Sequence, residues 1–282
     1  MRRSLMRWRV AVCLLAVLVA GLAGCGSDDG AVRRDGAPWG SASAGDIELL
    51  VLGAASLSDV LKDLAQAYEE AHPGTRITLA TDGSDALRAR IEEGLPGDAF
   101  VSADAANPAR LEAAGLVLGA PVAVARNGLA IAVSPQRRDV IRTPLDLAEP
   151  GVRLVGAGLG VPITMYSERA LDRLAGLPGY PADFALRVEG NVVSREDNVR
   201  AALAKVALGE GDAAFVYATD VAGRSDIGVV QLPGGAAVEA EHVAVVLAGA
   251  AQPQAAGDLV AWLRSPDAQA IFAARGFNPA DR

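Results

Sequence analysis

Short apolar runs alternate with amphipathic segments along the chain from Ile47 onward. The apolar runs have the length and the turn-rich borders of β-strands. They are "IELLVLGAAS", "RITLATDGS", "DAFVSAD", "GLAIAVSP", "VRLVGAG", "DAAFVYATD" and "HVAVVLAG". Because strands alternate with helices, the pattern predicts a mainly parallel α/β sheet covered by helices on both faces.

Two of the intervening segments have clear helical periodicity. Each places its apolar side chains on one face, as a helix that packs on a sheet does. These side chains are Val60, Leu61, Leu64 and Tyr68 in "SDVLKDLAQAYEEAH", and Val199, Leu203, Val206 and Ala207 in "NVRAALAKVALGEG".

The first 25 residues have a different composition. Four arginines precede the apolar run "VAVCLLAVLVAGLAGC", an order typical of an export signal. The run is short for a membrane span. Its end, "LAGC", resembles the lipobox of bacterial lipoproteins, in which the chain is cut before the cysteine and the cysteine is acylated. We therefore predict a signal peptide over residues 1–24 and lipidation of Cys25; a plain secretory peptide is the alternative.

The segment that follows Cys25, "GSDDGAVRRDGAPWGSASAGD", is rich in Gly, Ser, Asp and Ala. It lacks helical or strand periodicity, so residues 25–46 are predicted to form a flexible tether. The expected location is the outer face of the cell membrane, with lipid on Cys25 as the anchor. Cys13 would leave with the signal, so no thiol would remain for a disulfide, a metal site or a nucleophile.

The charge balance excludes one class of partner. The chain has 26 Lys and Arg against 34 Asp and Glu, and four of the basic residues lie in the predicted signal peptide. An acidic surface is poorly suited to nucleic acid or to anionic membranes. An anionic ligand would have to be held by local dipoles, because the net charge repels it.

Four strand-to-helix junctions are candidates for such dipoles: "GAASLSD", "TDGSDAL", "GVPITMY" and "EDNVRAAL". Open α/β sheets bind ligands beyond the carboxyl ends of their strands. The first helical turn also has free N–H groups and a partial positive charge. Ser56 and Ser84 would add hydroxyl donors. The alternative is that both serines only cap helices and that Pro162 marks an ordinary helix start.

The order of several motifs resembles a known family. The runs "GAASLSDVLKDLAQAYEEAHPG", "GSDALRARIEEGLPGDAFVSAD", "GDAAFVYATD" and "WLRSPDAQAIFAARGF" are similar to the periplasmic molybdate-binding proteins of ABC importers. The similarity extends from about Ile47 to Phe277. It implies a two-lobed type II periplasmic-binding-protein fold, hinged by two crossovers. Lobe 1 would comprise residues 47–126 plus 238–282, and lobe 2 residues 127–237.

The resemblance also implies a binding site and a function. By motif, the oxyanion ligands fall on the hydroxyls of Ser56, Ser84 and Tyr217 and on the main-chain amides of Ile163 and Val199. The implied function is capture of molybdate or tungstate for an ABC transporter permease. The protein would be a monomeric binding protein and not an enzyme, with no cofactor and no cation ligands.

Two positions depart from the family pattern. Ile163-Thr164 stands where the family usually has Ala-Gly, which is tolerable because the contact is a backbone N–H. Asp85 stands where the family often has a second serine. A carboxylate that faces molybdate would repel it, so a molybdate binder requires Asp85 to turn outward into solvent at the start of its helix.

Other functions remain open from the sequence. Phosphate or sulfate could replace molybdate, and an exported hydrolase is an alternative of another class. Against a hydrolase, the sequence has no G-x-S-x-G, H-E-x-x-H or P-loop motif. His72 and His242, the two histidines, are predicted to be structural. Without the family pattern, Tyr217 would be interpreted as a core residue with a satisfied hydroxyl.

Overall fold

The computed structural model describes residues Ile47–Ala280. The predictions of the signal peptide, of Cys25 lipidation and of the tether lie outside the described residues. Within them the chain forms a mixed α/β fold with a central sheet flanked by helices. The predicted fold class is confirmed.

Strands and helices alternate over most of the described chain, as the sequence predicts. The strands are β1 (Ile47–Ala54), β2 (Thr75–Asp82), β3 (Ala99–Ser102), β4 (Val117–Val133), β5 (Leu154–Ala157), β6 (Val192–Glu196), β7 (Ala213–Tyr217), β8 (Gly228–Gln231) and β9 (Glu239–Leu247). The helices are α1 (Ser58–Ala71), α2 (Ser84–Glu92), α3 (Ala106–Ala113), α4 (Pro162–Ala175), α5 (Phe184–Gly190), α6 (Val199–Leu208), α7 (Ala218–Val221), α8 (Pro253–Trp262) and α9 (Pro266–Ala274).

The strands pair in the order β2-β1-β3-β9-β4-β7-β5-β6, and β8 also pairs with β4. β1 is parallel to β2 and β3, and β5 is parallel to β6 and β7. β9 is antiparallel to β3 and β4, and β4 is antiparallel to β7 and β8. The prediction of a mainly parallel sheet is therefore wrong: the sheet is mixed.

β4 accounts for much of this difference. It is 17 residues long, and its pairing partners change along its length. Residues 117–128 pair with β9, while residues 129–133 pair with β7. β9 is antiparallel to its neighbour β3, and β4 is antiparallel to its neighbour β7. The sequence pattern predicted only the last part of β4 as a strand.

The two periodic helices bury the faces that the sequence predicts. In α1, the four apolar residues of the predicted stripe are buried in the core. In α6, Val199, Leu203 and Val206 are buried, whereas Ala207 is only half-buried. His72 follows α1, and its ring stacks on Tyr68 with 3.9 Å between ring centroids. This packing supports a structural role for His72.

Between residues 47 and 280, no helix combines the length and the apolar character that a bilayer span needs. The helices instead begin close to strand ends. β1 leads into a 3-10 turn at Ala55–Leu57, and β2 is followed after one residue by α2. α4, α6 and α7 likewise start shortly after β5, β6 and β7. These five junctions supply the residues of the candidate site.

Candidate ligand-binding site

One cavity collects residues from distant parts of the chain. Of the predicted ligand contacts, Ser56, Ile163, Val199 and Tyr217 line it. The remaining lining residues are small or apolar except for one asparagine: Ala54, Ala55, Gly83, Ala103, Val161, Pro162 and Asn198. The cavity volume, measured as the space open to the centre of a water-sized sphere, is about 10 Å³. This is about the space that one water molecule needs, so the cavity is tight and has no room for a sugar or a peptide.

Ser56 lies in the 3-10 turn that follows β1. The residue is 5% exposed, and its Oγ has no hydrogen-bond partner among the described residues. The turn shows no side-chain cap from the preceding residue, and α1 begins only at Ser58. Ser56 is therefore not the N-cap of α1. A buried hydroxyl without a protein partner is available to donate a hydrogen bond, and contact of Ser56 with a ligand stays a prediction.

Ser84 is the first residue of α2 and is fully buried. It is not one of the cavity-lining residues, although its neighbour Gly83 is. Its Oγ accepts a hydrogen bond of 3.0 Å from the backbone N–H of Ala103, another lining residue. Because the oxygen is the acceptor in this bond, the hydroxyl proton remains available as a donor. Direct contact between Ser84 and a ligand remains a prediction.

The two predicted amide contacts lie in the first turns of α4 and α6. Ile163 follows Pro162, which opens α4, and Val199 opens α6. Backbone N–H groups at these positions have no acceptor within their own helix, and the helix dipole adds partial positive charge. The side chains of Ile163 and Val199 are both buried in the main core cluster. Because the Ile163 side chain packs in the core, its backbone N–H is the group that could contact a ligand.

Thr164 and Asn198 hold these two helix starts in place. The Thr164 hydroxyl lies 2.9 Å from the carbonyl oxygen of Gly158 and donates to the turn before α4. Asn198 caps α6, with its Oδ1 accepting from the Ala201 N–H at 3.0 Å. Sequence reasoning did not single out Asn198. Its position directly before a helical pattern is the N-cap signal that could have identified it.

Tyr217 ends β7 and is 1% exposed. Tyr217 packs in the main core cluster, and within residues 47–280 its hydroxyl has no hydrogen-bond partner, so contact of the hydroxyl with a ligand stays a prediction. Burial, reinforced by Tyr166 and by the carboxylates of Asp220 and Asp104, raises the pKa of Tyr217 well above its usual value. The phenol therefore keeps its proton and can act only as a neutral donor or acceptor.

Asp85 is not one of the cavity-lining residues and is half-buried. Its Oδ1 is buried and makes no hydrogen bond with any described residue. A Cβ on Gly160 would lie 2.8 Å from Asp85 Oδ2, and one on Gly83 would lie 3.0 Å from Oδ1. The carboxylate thus packs between the turn before α2 and the turn before α4. The outward orientation of Asp85 stays a prediction: the residue is half-buried, and only Oδ1 is enclosed against these turns.

His242 lies in β9 and is fully buried. Its ring packs edge-on against the rings of Tyr217 and Phe277, at centroid distances of 5.7 and 5.4 Å. Burial lowers the pKa of His242 to about 3, so the imidazole is neutral near pH 7. In the described part of the chain, no group of His, Cys, Asp or Glu side chains could hold a metal ion. The structural interpretation of His242 fits this packing.

Comparison with known proteins assigns the chain to a family. The family of bacterial extracellular solute-binding proteins matches residues 49–278. The chain belongs to this family. It is therefore a solute-binding protein and not an enzyme.

Two relatives of this solute-binding protein are molybdate-binding proteins named ModA. The relative from Mycobacterium tuberculosis is 30% identical over 263 residues, which cover 93% of this chain and 94% of the relative. The relative from Escherichia coli is 27% identical over 255 residues, covering 84% and 91% respectively.

Solved structures share the fold of this solute-binding protein. The periplasmic molybdate-binding protein of Azotobacter vinelandii aligns with a TM-score of 0.66 at 23% identity, over 81% of this chain and 98% of that one. The sulfate-binding protein SubI of Mycobacterium tuberculosis aligns with a TM-score of 0.73 at 20% identity, over 83% and 88%. At these identities the structural similarity supports the fold alone.

Proposed function

We propose that this solute-binding protein captures molybdate, and also tungstate, and delivers it to the permease of an ABC transporter. The observation that carries the proposal is the cavity with Ser56 Oγ and Tyr217 OH, two buried hydroxyls without partners among residues 47–280. The ModA relatives named above support molybdate as the ligand.

The donor set matches the chemistry of a deprotonated oxyanion. Molybdate at neutral pH is a dianion with acceptor oxygens only, so every contact has to come from a donor. Ser56, Tyr217, Ile163 and Val199 line the cavity, and their hydroxyls and first-turn amides are neutral donors. Among the described residues, no Asp, Glu, Lys or Arg lines it. The ligand's charge is then balanced by dipoles and hydrogen bonds in a site with little water.

This lining also bears on the alternative anions. Phosphate near neutral pH often keeps a proton, and a site selective for it benefits from an acceptor. Asp85 is the carboxylate that the sequence suggests for that role, and it packs against Gly160 outside the cavity-lining set. Sulfate has acceptors only, as molybdate does, but its S–O bonds are shorter than Mo–O bonds. Discrimination against sulfate would therefore depend on the fit of the cavity.

We also propose that the cavity lies between two lobes. Lobe 1 comprises residues 47–126 plus 238–282, and lobe 2 comprises residues 127–237. Ser56 and Ser84 would then belong to lobe 1 and the other three contacts to lobe 2. A ligand that touches both lobes favours the closed arrangement over the open one. Such closure would signal to the permease that the site is occupied.

The proposal places the mature protein, as a monomer, at the outer face of the membrane, anchored by lipid on Cys25. The family of extracellular proteins supports export, and the "LAGC" sequence supports the anchor. We expect Cys25→Ser to prevent acylation and to release the protein from the membrane fraction or to stall its processing. Membrane association equal to that of the wild type would argue against a lipid anchor.

Native mass spectrometry tests the function directly. The purified protein is incubated separately with molybdate, tungstate, sulfate and phosphate, and the bound mass is recorded. We expect one unmodified molybdate or tungstate ion per chain. Ser265→Ala, which removes the N-cap of α9, serves as the control variant that should bind normally. No retained oxyanion, or a covalent adduct or product in its place, would contradict the proposal.

A further inference from the structure

A charged groove lies beside α6, next to the candidate cavity. Asp59, Arg200 and Asp220 contribute to its wall, and the centre of a water-sized sphere can occupy about 570 Å³ of it. Each of the three charged residues follows a predicted ligand contact closely. Asp59 comes three residues after Ser56, Arg200 directly after Val199, and Asp220 three residues after Tyr217.

Arg200 contacts both carboxylates. Its Nη2 donates a hydrogen bond of 2.8 Å to Asp59 Oδ2, and its Nε lies 3.2 Å from Asp220 Oδ1. The Asp220 side chain is completely inaccessible to solvent. Its other oxygen, Oδ2, accepts a hydrogen bond of 3.2 Å from the backbone N–H of Tyr217. One guanidinium thus joins the three chain segments that carry Ser56, Val199 and Tyr217.

The partners of Arg200 come from the two proposed lobes. Arg200 and Asp220 belong to the proposed lobe 2, whereas Asp59 belongs to the proposed lobe 1, 141 residues away in the sequence. If the lobes separate, the bond from Arg200 to Asp59 has to break. Arg275 offers a contrast, because it lines the same groove but pairs with Asp63 of α1, within the proposed lobe 1.

A second polar contact joins the two proposed lobes near the cavity. The amide nitrogen of the Asn198 side chain lies 3.5 Å from Asp82 Oδ1 at the end of β2. In addition, a Cβ on Gly83 would lie 2.7 Å from the carbonyl oxygen of Asp197, which shows how closely the two turns approach. The bond between Arg200 and Asp59 is the shorter of the two polar contacts.

We propose that Arg200 is a positioning residue that clasps the closed site: it holds the starts of α1, α6 and α7 together without touching the anion. This inference rests on the proposed function. The clasp adds a contact that exists only when the site is closed, so it favours the ligand-bound arrangement. Its main effect falls on release of the anion, because release requires the clasp to open, whereas capture begins from the open arrangement.

The two contacts of the clasp, a hydrogen bond to Asp59 and an ion pair with Asp220, should differ in strength. The Asp59 side chain is 47% exposed, so its pairing with Arg200 is screened by water. Removal of this carboxylate leaves Arg200 paired with Asp220. Removal of the Arg200 charge, in contrast, leaves Asp220 buried without its cation, next to the Tyr217 backbone. Loss of Arg200 should therefore affect the site more than loss of Asp59.

The test is the rate of molybdate release, measured by stopped-flow displacement with excess tungstate on the full protein. Asp59→Asn should release molybdate roughly threefold faster. Arg200→Gln should release it about tenfold faster or more, with the association rate and the number of sites unchanged. Arg200→Lys keeps the charge and should release molybdate more slowly than Arg200→Gln. Arg275→Gln is the matched control and should behave as the wild type.

The outcomes separate the clasp from the proposed function. Wild-type release rates in both Asp59→Asn and Arg200→Gln would overturn the clasp while leaving molybdate binding in place. A lower number of sites with unchanged release would also overturn it, because that result indicates misfolding and not faster opening. If Arg200→Gln does not fold, Asp59→Asn alone decides. Absence of molybdate binding by the wild-type protein would overturn the proposed function itself.

Discussion

Two neighbouring regions near the end of β7, the cavity and the groove beside α6, differ in the charge of their lining residues. Tyr217 lines the cavity with a neutral side chain, whereas Asp220, three residues later, lines the groove beside α6 and has a buried carboxylate. The cavity wall has neutral donors, and the groove has arginine–carboxylate pairs. The difference indicates that the anion would be recognised by oriented dipoles, while full charges compensate one another nearby and brace the site. A formal positive charge in the cavity would attract every anion alike.

The largest expected effect follows from removal of a neutral donor in the cavity. Ser56→Ala should weaken molybdate binding by roughly 1.5–3 kcal/mol, the scale of a hydrogen bond to a charged group. Because Ser56 Oγ has no partner among the described residues, the stability of the fold should change little. Ser84→Ala should weaken binding similarly, and it should also destabilise the fold because the Ala103 N–H loses its acceptor.

Calorimetry and urea unfolding of both serine variants measure these effects. Normal affinity in both variants would mean that the serines are structural, and the distinction between a neutral cavity and a charged groove would lose its functional meaning.

The neutral surroundings of Tyr217 include the buried imidazole of His242. The pH dependence of the unfolding free energy tests whether this imidazole is neutral. The pKa of His242 is about 3 in the folded protein, against about 6.5 in the unfolded chain. The unfolded state therefore binds more protons between these values, and stability is lost as the pH falls below about 6.5. At pH 5 the loss from this group is about 2 kcal/mol.

We expect His242→Phe to reduce the difference in unfolding free energy between pH 7.5 and pH 5 by about that amount. Asp220 acts in the opposite direction: its burial raises its pKa to about 6, so the folded state holds the proton more tightly and stability is lost as the pH rises towards 6. Comparing the variant with the wild type cancels this contribution. An unchanged pH dependence in His242→Phe would show that the imidazole is charged or hydrated in the folded protein.

Tyr217→Phe should have a somewhat smaller effect on binding, about 1.5 kcal/mol. It removes one donor to the anion and little packing. Since the buried hydroxyl has no partner within residues 47–280, stability should stay the same or rise. Tyr166→Phe is the control, because the Tyr166 hydroxyl accepts from the Glu241 N–H and does not line the cavity. Equal affinity in wild type and Tyr217→Phe would remove the phenol from the list of ligand contacts.

Asp85→Ser should have the smallest effect. The carboxylate packs against Gly160 outside the cavity-lining set, so molybdate affinity should change by less than threefold, under roughly 0.7 kcal/mol. Titrations with molybdate and phosphate measure the change. A large gain for molybdate together with loss of phosphate binding would show that the carboxylate faces the ligand, and the cavity could then no longer be contrasted with the groove as neutral.

The sequence predicts those parts of the fold that depend on local patterns. The buried face of α1 follows from its apolar spacing. β6 was missed because its side chains alternate between partial and full exposure and include Arg195 and Glu196. The direction of β4 and β9 could not be predicted, because the pairing of strands depends on partners distant in the chain.

The candidate site shows the same division. Four of the five contacts that the family resemblance implies line one cavity. The strand-to-helix junctions that carry most of them are local patterns. The packing of Asp85 against Gly160 could not be predicted, since Gly160 lies in another turn. The contact of Arg200 with Asp59 likewise joins residues 141 positions apart. No local signal marks either pair.

Calorimetric titration of the purified wild-type protein with molybdate, tungstate, sulfate and phosphate tests the central claim most directly. If neutral donors in a closely fitting cavity select a deprotonated tetrahedral oxyanion, molybdate and tungstate should each bind at one site per chain. Both should bind more tightly than sulfate, with phosphate the weakest. Sulfate or phosphate binding as tight as that of molybdate would contradict the account.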